Sequence, residues 1–272
     1  MAKYIGTYAN ETAIATAVNN NDLSRPFVAL AEDTSRVYYG PYVDLAVIGD
    51  ICVYDTTTQS LRFIHTADYN TTTYPTATYE PIGVIATNQT ASLVGGVDRT
   101  VKILAKNWLD KNNPDTGNAN KQNIEWGDTT VATGATSETD GKTNTTTVLT
   151  FATGQSDWRT DATISFTDGQ GMYPIFECAW RYHTGGTTQG DWYIGAKNEI
   201  DAIANVRTTI NNGLTLIGAS QYTGTIGCST ERSAPIAWCL DGSVWINGSV
   251  KNNGSNYNSR AICEKAVLPI NA

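Results

Sequence analysis

The stretch KNEIDAIANVRTTINNGLTLIGAS, Lys197–Ser220, and the run IAWCLDGSVWINGSV, Ile236–Val250, decide the fold class. Ile200, Ile203, Ala204 and the aliphatic stem of Arg207 recur at the helical period, so Lys197–Asn211 predicts a helix that Asn212-Gly213 would end. The segments that follow it are short and β-prone: Leu214–Gly218, Ile236–Leu240, Ser243–Ile246 and Ala261–Val267. Asp241-Gly242 between two aromatic-rich runs predicts a hairpin turn. A helix followed by many short strands is an α+β pattern.

Upstream, Val148–Phe151, Ala162–Phe166 and Met172–Ala179 are candidate strands. Residues 106–147 are strongly polar, but Ile124, Trp126 and Val131 within them predict a long loop packed on a domain. Residues 43–97 read as a β-rich module, with strands at Leu45–Ile48, Ile51–Tyr54, Leu61–Ile64 and Ile82–Ala86. Residues 1–42 read as a small mixed unit: a strand at Lys3–Tyr8, a helix over Glu11–Val18 capped by Asn10, then a hairpin from Pro26–Leu30 and Val37–Tyr39. Such a unit buries little surface alone and is expected to dock on something larger. The expected division is therefore 1–42, 43–97 and 98–272.

Composition narrows the function. The chain has 272 residues with only 16% charged, against roughly 25% in ordinary soluble proteins. Threonine (40), asparagine (23) and glycine (24) take their place, giving a surface wetted by hydroxyls and amides. The net charge of −8, without a Lys/Arg cluster, argues against a nucleic-acid partner. No apolar run approaches ~18 residues, so no membrane helix is expected. The start, MAKYIGTYANETAIATAV, lacks an apolar h-region and predicts no secretory signal. A particle built inside a cell and released by lysis would satisfy both conditions.

Reactive constellations are sparse. The two histidines, His65 and His183, have no GxSxG elbow or metal-ligand spacing beside them and read as structural hydrogen-bonding groups. Cys52, Cys178, Cys228, Cys239 and Cys263 form no CxxC and read as small buried hydrophobes, with a disulfide among the last three left open. Carboxylate pairs Glu125/Asp128, Glu177/Asp191 and Glu199/Asp201 would need a separation of ~5–9.5 Å to cleave a glycoside, which nothing in the spacing fixes. They read as solvated acids, or as helix N-terminal acids in the case of Glu199. Asp168 in an Asp-Gly-Gln-Gly turn lacks the ligand series of a calcium loop. Neither enzyme activity, cofactor nor metal is expected.

A binding surface remains. Asp241–Arg260 holds Trp245, Tyr257 and five asparagines, Asn247, Asn252, Asn253, Asn256 and Asn258. Asparagine amides pair donors and acceptors as sugar hydroxyls require, and Trp and Tyr add rigid contact area. The same composition also suits a chain that merely turns.

A family resemblance joins these parts. WRYHTGGTTQGDWYIGAKNEI, Trp180–Ile200, and the AW…DG pattern at Ala237–Gly242 resemble the C-terminal domain of proteins from Bacteroides phages, whose fold is C-type-lectin-like and shared with the formylglycine-generating-enzyme superfamily. GDICVYD, Gly49–Asp55, and DYNTTTYPTATYEPIGVI, Asp68–Ile85, resemble a module that precedes such domains. YIGTYANETAIATAV, Tyr4–Val18, is similar to the start of crAss-like phage head-fibre proteins. The resemblance implies a virion protein on the capsid surface, assembled in the host cytoplasm. Its residues 1–42 would attach to a phage capsid protein. Its lectin-like end would project and bind host-surface polysaccharide through the region Trp245–Asn258. Fibre architecture implies a homo-oligomer, with a trimer placed ahead of a dimer. This chain has Gly227-Cys228 where relatives have Trp-Ser, and asparagine where relatives favour tyrosine. No local motif matches the paired cysteines of the superfamily's enzymes, so catalysis is not carried over. An inert capsid decoration protein and a polysaccharide-degrading enzyme stand as the alternatives.

Overall fold

The computed structural model describes residues 3–19, 27–31, 36–40, 44–92, 96–127, 131–153, 173–242, 244–251 and 257–270. The chain begins with β1 (Lys3–Tyr8), α1 (Glu11–Asn19), β2 (Phe27–Ala31) and β3 (Arg36–Gly40). β1 and β2 run parallel, so α1 is their crossover, and β3 returns antiparallel along β2. The Asn10 side-chain oxygen accepts from Ala13 N at 2.9 Å and caps α1, as its position before the helix predicts. α1 buries Ile14 and Ala17 and packs against β7 (Thr90–Ser92) as well as its own sheet.

The next strands are β4 (Ile51–Asp55), β5 (Ser60–Ile64) and β6 (Tyr79–Ile85), then the β7 hairpin partner β8 (Gly96–Asp98), then β9 (Thr100–Ala105). Beyond the polar loop come α2 (Gly141–Thr153), α3 (Pro174–Arg181), β10 (Trp192–Tyr193), α4 (Lys197–Asn205) and α5 (Arg207–Leu216). The chain closes with β11 (Thr225–Ser233), β12 (Ile236–Asp241), β13 (Val244–Val250), β14 (Ile262–Ala266) and β15 (Leu268–Pro269). Helices and a mostly antiparallel sheet thus share one body, the α+β mix expected.

The central sheet has the order β10-β14-β9-β6-β4-β5-β15, antiparallel except for the β15–β5 pair. Both of its faces are covered. Cys52, Phe63, Ile82, Val101 and Ile103 pack towards Val148 and Ala152 of α2, Phe176 and Cys178 of α3, and Trp126 of the long loop. Ile51, Val53, Val84 and Leu104 pack towards Ile200 and Ile203 of α4 and Ile210 and Leu214 of α5. Burial on both sides is why ICV and TVKILA read as near-continuous apolar runs rather than alternating ones. A smaller sheet, β11-β12-β13, adds Ala237 and Cys239 to the first core and Ile226, Cys228 and Leu240 to the second. The boundary drawn at 97/98 runs through the central sheet, because the edges of β6 and β4 need β9 and β5 on either side, and β14 must pair with β9.

Several local expectations change. Leu45–Ile48 is irregular, with Ala46 N donating to Gln89 Oε1 at 3.0 Å instead of to a ladder partner. Val148–Phe151 lies in α2, not a strand. Asp140 accepts from Thr143 N at 2.8 Å and from its hydroxyl at 2.7 Å, and this cap outweighs the β-propensity of the threonine run. From Pro174, Met172–Ala179 is the start of α3, with proline in the first helical turn, where its missing N–H costs nothing. Lys197–Asn211 is interrupted at Val206, and the second helix continues through Gly213 to Leu216, so Leu214–Gly218 is no strand. Ala162–Phe166 lies outside the described residues. In the polar loop, Ile124 and Trp126 are buried as expected, whereas Val131 is exposed. Asp110 knots that loop: burial alone would raise its pKa, but donors from Asn113, Asn118 and Asn112 hold it below the usual carboxylate range. All five cysteines are buried and none is in a disulfide.

Candidate contact face

The face forms where α4 crosses the small sheet. Glu199, in the first turn of α4, accepts from Ala196 N and Gly141 N, each at 2.8 Å, and from Tyr193 Oη at 3.1 Å, and it pairs with Lys102. This acid therefore fixes the helix start, as expected of a helix N-terminal carboxylate. Two residues to either side of it, Lys197 and Asp201 point the other way, over β12 and β13.

Asp241 pairs with Val244 across the expected turn, with Gly242 at φ +63°, and Leu240 pairs with Trp245. That register brings Trp238 of β12 and Trp245 of β13 together on the α4 side. Their rings meet edge to face at 6.5 Å and 89°. The Lys197 ammonium lies 5.1 Å from the Trp238 ring centre and 5.8 Å from that of Trp245. The Arg232 guanidinium sits 5.4 Å from Trp238, so the aromatic pair is flanked by two cations. Trp245 Nε1 donates to Asp201 Oδ1 at 3.3 Å. Both tryptophans remain half-buried, and Val244 beside them is 66% exposed. The result is a partly open aromatic surface edged by two cations, of which Lys197 is paired with Glu138 at 3.2 Å, and by the Asp201 carboxylate, able to take the C–H face of a ring and hydrogen-bond its hydroxyls.

The expected contact residues do not all gather here. Trp245 does. Asn247 lies in β13, and Asn252, Asn253 and Asn256 lie outside the described residues. Tyr257 is fully buried, its carbonyl accepting from Ile124 N at 3.1 Å and its ring closing on Gly227. It is a core residue and not a surface contact. Asn258 is half-buried and bonds to β11: its backbone N and Nδ2 both donate to Thr225 O, and its carbonyl accepts from Gly227 N. Asn258 and Trp245 thus sit on opposite edges of the small sheet. Trp238, Lys197, Arg232 and Asp201 were missed by composition, although the Asp241-Gly242 turn places Trp238 on the same face as Leu240 and hence Trp245.

The acids and histidines serve the scaffold. Glu231 accepts from Thr133 N and Gly134 N at 2.9 Å and pairs with Lys251, both side chains fully or nearly fully buried, with Lys251 4.5 Å from the Trp126 ring centre. Glu177 accepts from Tyr173 N at 3.1 Å, and burial pushes its carboxyl up to about 7 against that hydrogen bond and Arg181. Asp191 pairs with Lys265 at 2.6 Å, and Glu125 with Lys111 at 3.2 Å. Asp128 and Asp168 lie outside the described residues. His183 bonds Arg181 O at 2.9 Å, while His65 bridges Asp44 and Asp50, each at 2.8 Å. Among the described residues, no group of His, Cys, Asp or Glu is arranged to hold a metal ion, and no helix is long and apolar enough to cross a membrane.

No family model matches the chain, and neither does any curated protein or solved structure.

Proposed function

We propose that the chain is a structural virion protein, a capsid head fibre whose residues 1–42 attach to the capsid and whose lectin-like C-terminal part contacts host-surface glycan. The observation that carries the contact role is the Trp238–Trp245 pair with Lys197, Arg232 and Asp201 around it. The motif resemblance and the uncharged, amide- and hydroxyl-rich composition support the virion role. The proposal assigns no catalysis: Glu177, Glu199 and Glu231 each accept hydrogen bonds from buried backbone N–H groups and hold the scaffold.

The test uses the full chain, because a fragment beginning at residue 98 would lack β4, β5 and β6 of the central sheet. Purified protein is assayed for adsorption to host cells and capsular polysaccharide. Trp238→Ala with Trp245→Ala is expected to weaken adsorption by tenfold or more, about 1.4 kcal/mol or above. Unchanged adsorption of a folded double variant, or none by the wild type, refutes the contact role. The second outcome favours an inert decoration protein, a reading supported by the way Trp245 is already engaged by Asp201 and Trp238. New reducing ends on the polysaccharide would instead reveal an enzyme.

A further inference from the structure

On the opposite side of α4 from the tryptophan pair lies a cavity of about 260 Å³ between that helix and the central sheet. Its walls are apolar where Ala202 and Ile203 of α4 face Ile262 of β14. Its polar groups are Lys102 of β9 at the Glu199 end, with Thr139, Asn198 and Thr87, whose hydroxyl accepts from Lys102 N at 2.8 Å. The volume falls just below the range of pockets that hold drug-sized ligands, so the occupant is a single small ring.

Charge chooses the class of ring. Lys102 is paired with Glu199, so the ammonium is neutralised where it enters the cavity. A bound anion would lie against the Glu199 carboxylate, which also lines the cavity and which three other donors, Tyr193 Oη, Ala196 N and Gly141 N, hold in place. An ammonium has three N–H groups, and one meets Glu199. The Lys102 side chain keeps 29% of its surface exposed, leaving N–H groups for a neutral acceptor. Thr139 and Asn198 offer hydroxyl and amide groups that both donate and accept. An apolar wall facing donors and acceptors of this kind matches a ring with one C–H face and a hydroxylated edge.

We propose that this cavity binds a neutral cyclic polyol of single-hexose size. The site stands apart from the tryptophan face and does not depend on the role proposed for that face. The two share α4, which sends Lys197 and Asp201 one way and Asn198 and Ala202 the other, and the adjoining loop, where Glu138 pairs with Lys197 and Thr139 lines the cavity.

Saturation-transfer NMR on the full chain tests it, with galactose, mannose, fucose and N-acetylglucosamine as neutral probes and glucuronate as the charged one. At least one neutral sugar is expected to bind. Ala202→Leu fills the cavity from an exposed helical position that accepts leucine, and it should weaken binding about tenfold or more while thermal unfolding is unchanged. Thr139→Val, close to isosteric, should also weaken it. Trp245→Ala should leave it intact. The proposal is overturned if no neutral sugar binds, if glucuronate alone binds, or if Ala202→Leu folds and binds normally. Binding lost in Trp245→Ala but kept in Ala202→Leu also overturns it, yet leaves the contact role of the tryptophan face standing.

Discussion

Lys251 has no exposed side-chain surface, which a charged residue tolerates only when its charge is met where it lies. Glu231 meets it, and the Trp126 ring covers it. Removing one partner leaves the other charged and buried, so Lys251→Met or Glu231→Gln alone should cost about 3–5 kcal/mol in denaturant unfolding, whereas Glu231→Leu with Lys251→Met should cost far less than the sum. His65 tests the opposite, half-exposed case. Its hydrogen bonds to Asp44 and Asp50 raise its pKa from 6.5 to about 10, against the lowering effect of burial. The folded state therefore holds this proton more tightly than the unfolded chain. Its stabilisation is complete below pH 6.5 and fades as pH climbs through 10. The stability gap between wild type and His65→Gln should shrink steadily over that window, and a gap independent of pH would contradict it. At this scale Trp245 was legible, because a hairpin turn sets its register. Tyr257 was not. An aromatic at the end of an asparagine-rich stretch can anchor a ligand or begin a buried run, and here Ser259–Cys263 behind it is buried throughout.

Among the elements, α5 carries a glycine that breaks the usual rule. Glycine inside a helix costs about 1 kcal/mol relative to alanine, so Gly→Ala normally stabilises. At Gly213 a Cβ would fall 2.4 Å from the backbone oxygen of Gly49. Gly213→Ala should instead destabilise by about 1–3 kcal/mol, read as a lower unfolding midpoint. The same contact explains why Asn212-Gly213 looked like a helix end: composition registers a helix-breaking residue, and only the approach of the 49 loop shows why it is there. The two misread strands have comparable causes. In α2 an aspartate cap and a buried Val148–Ala152 stripe overrule threonine's β-preference, and in α3 a proline starts a helix rather than interrupting a strand. Hairpins at β2–β3 and β12–β13 were legible because their signals are local. β9 and β10 went unseen, since each pairs with β14, far away in the chain.

Across the whole molecule, α1 rests on β7 at the margin of the larger body. If residues 1–42 are the capsid anchor, their deletion should abolish co-sedimentation with purified capsids while the far-UV spectrum of the remaining sheet persists. Retained co-sedimentation would move the attachment site elsewhere. The α+β class was readable from the order of periodic segments, but the partition at 97/98 was not, because pairing between β6 and β9 leaves no trace in composition. That interleaving also sets a timetable for synthesis. β14 must slot between β9 and β10, and β15 must lie along β5, where Arg62 Nη1 donates to Pro269 O at 3.1 Å. Strands finished early by the ribosome thus wait, with open edges, for partners made some two hundred residues later. A chain cut short before β14 cannot close the sheet, so premature products are left with unpaired edges and exposed to proteases.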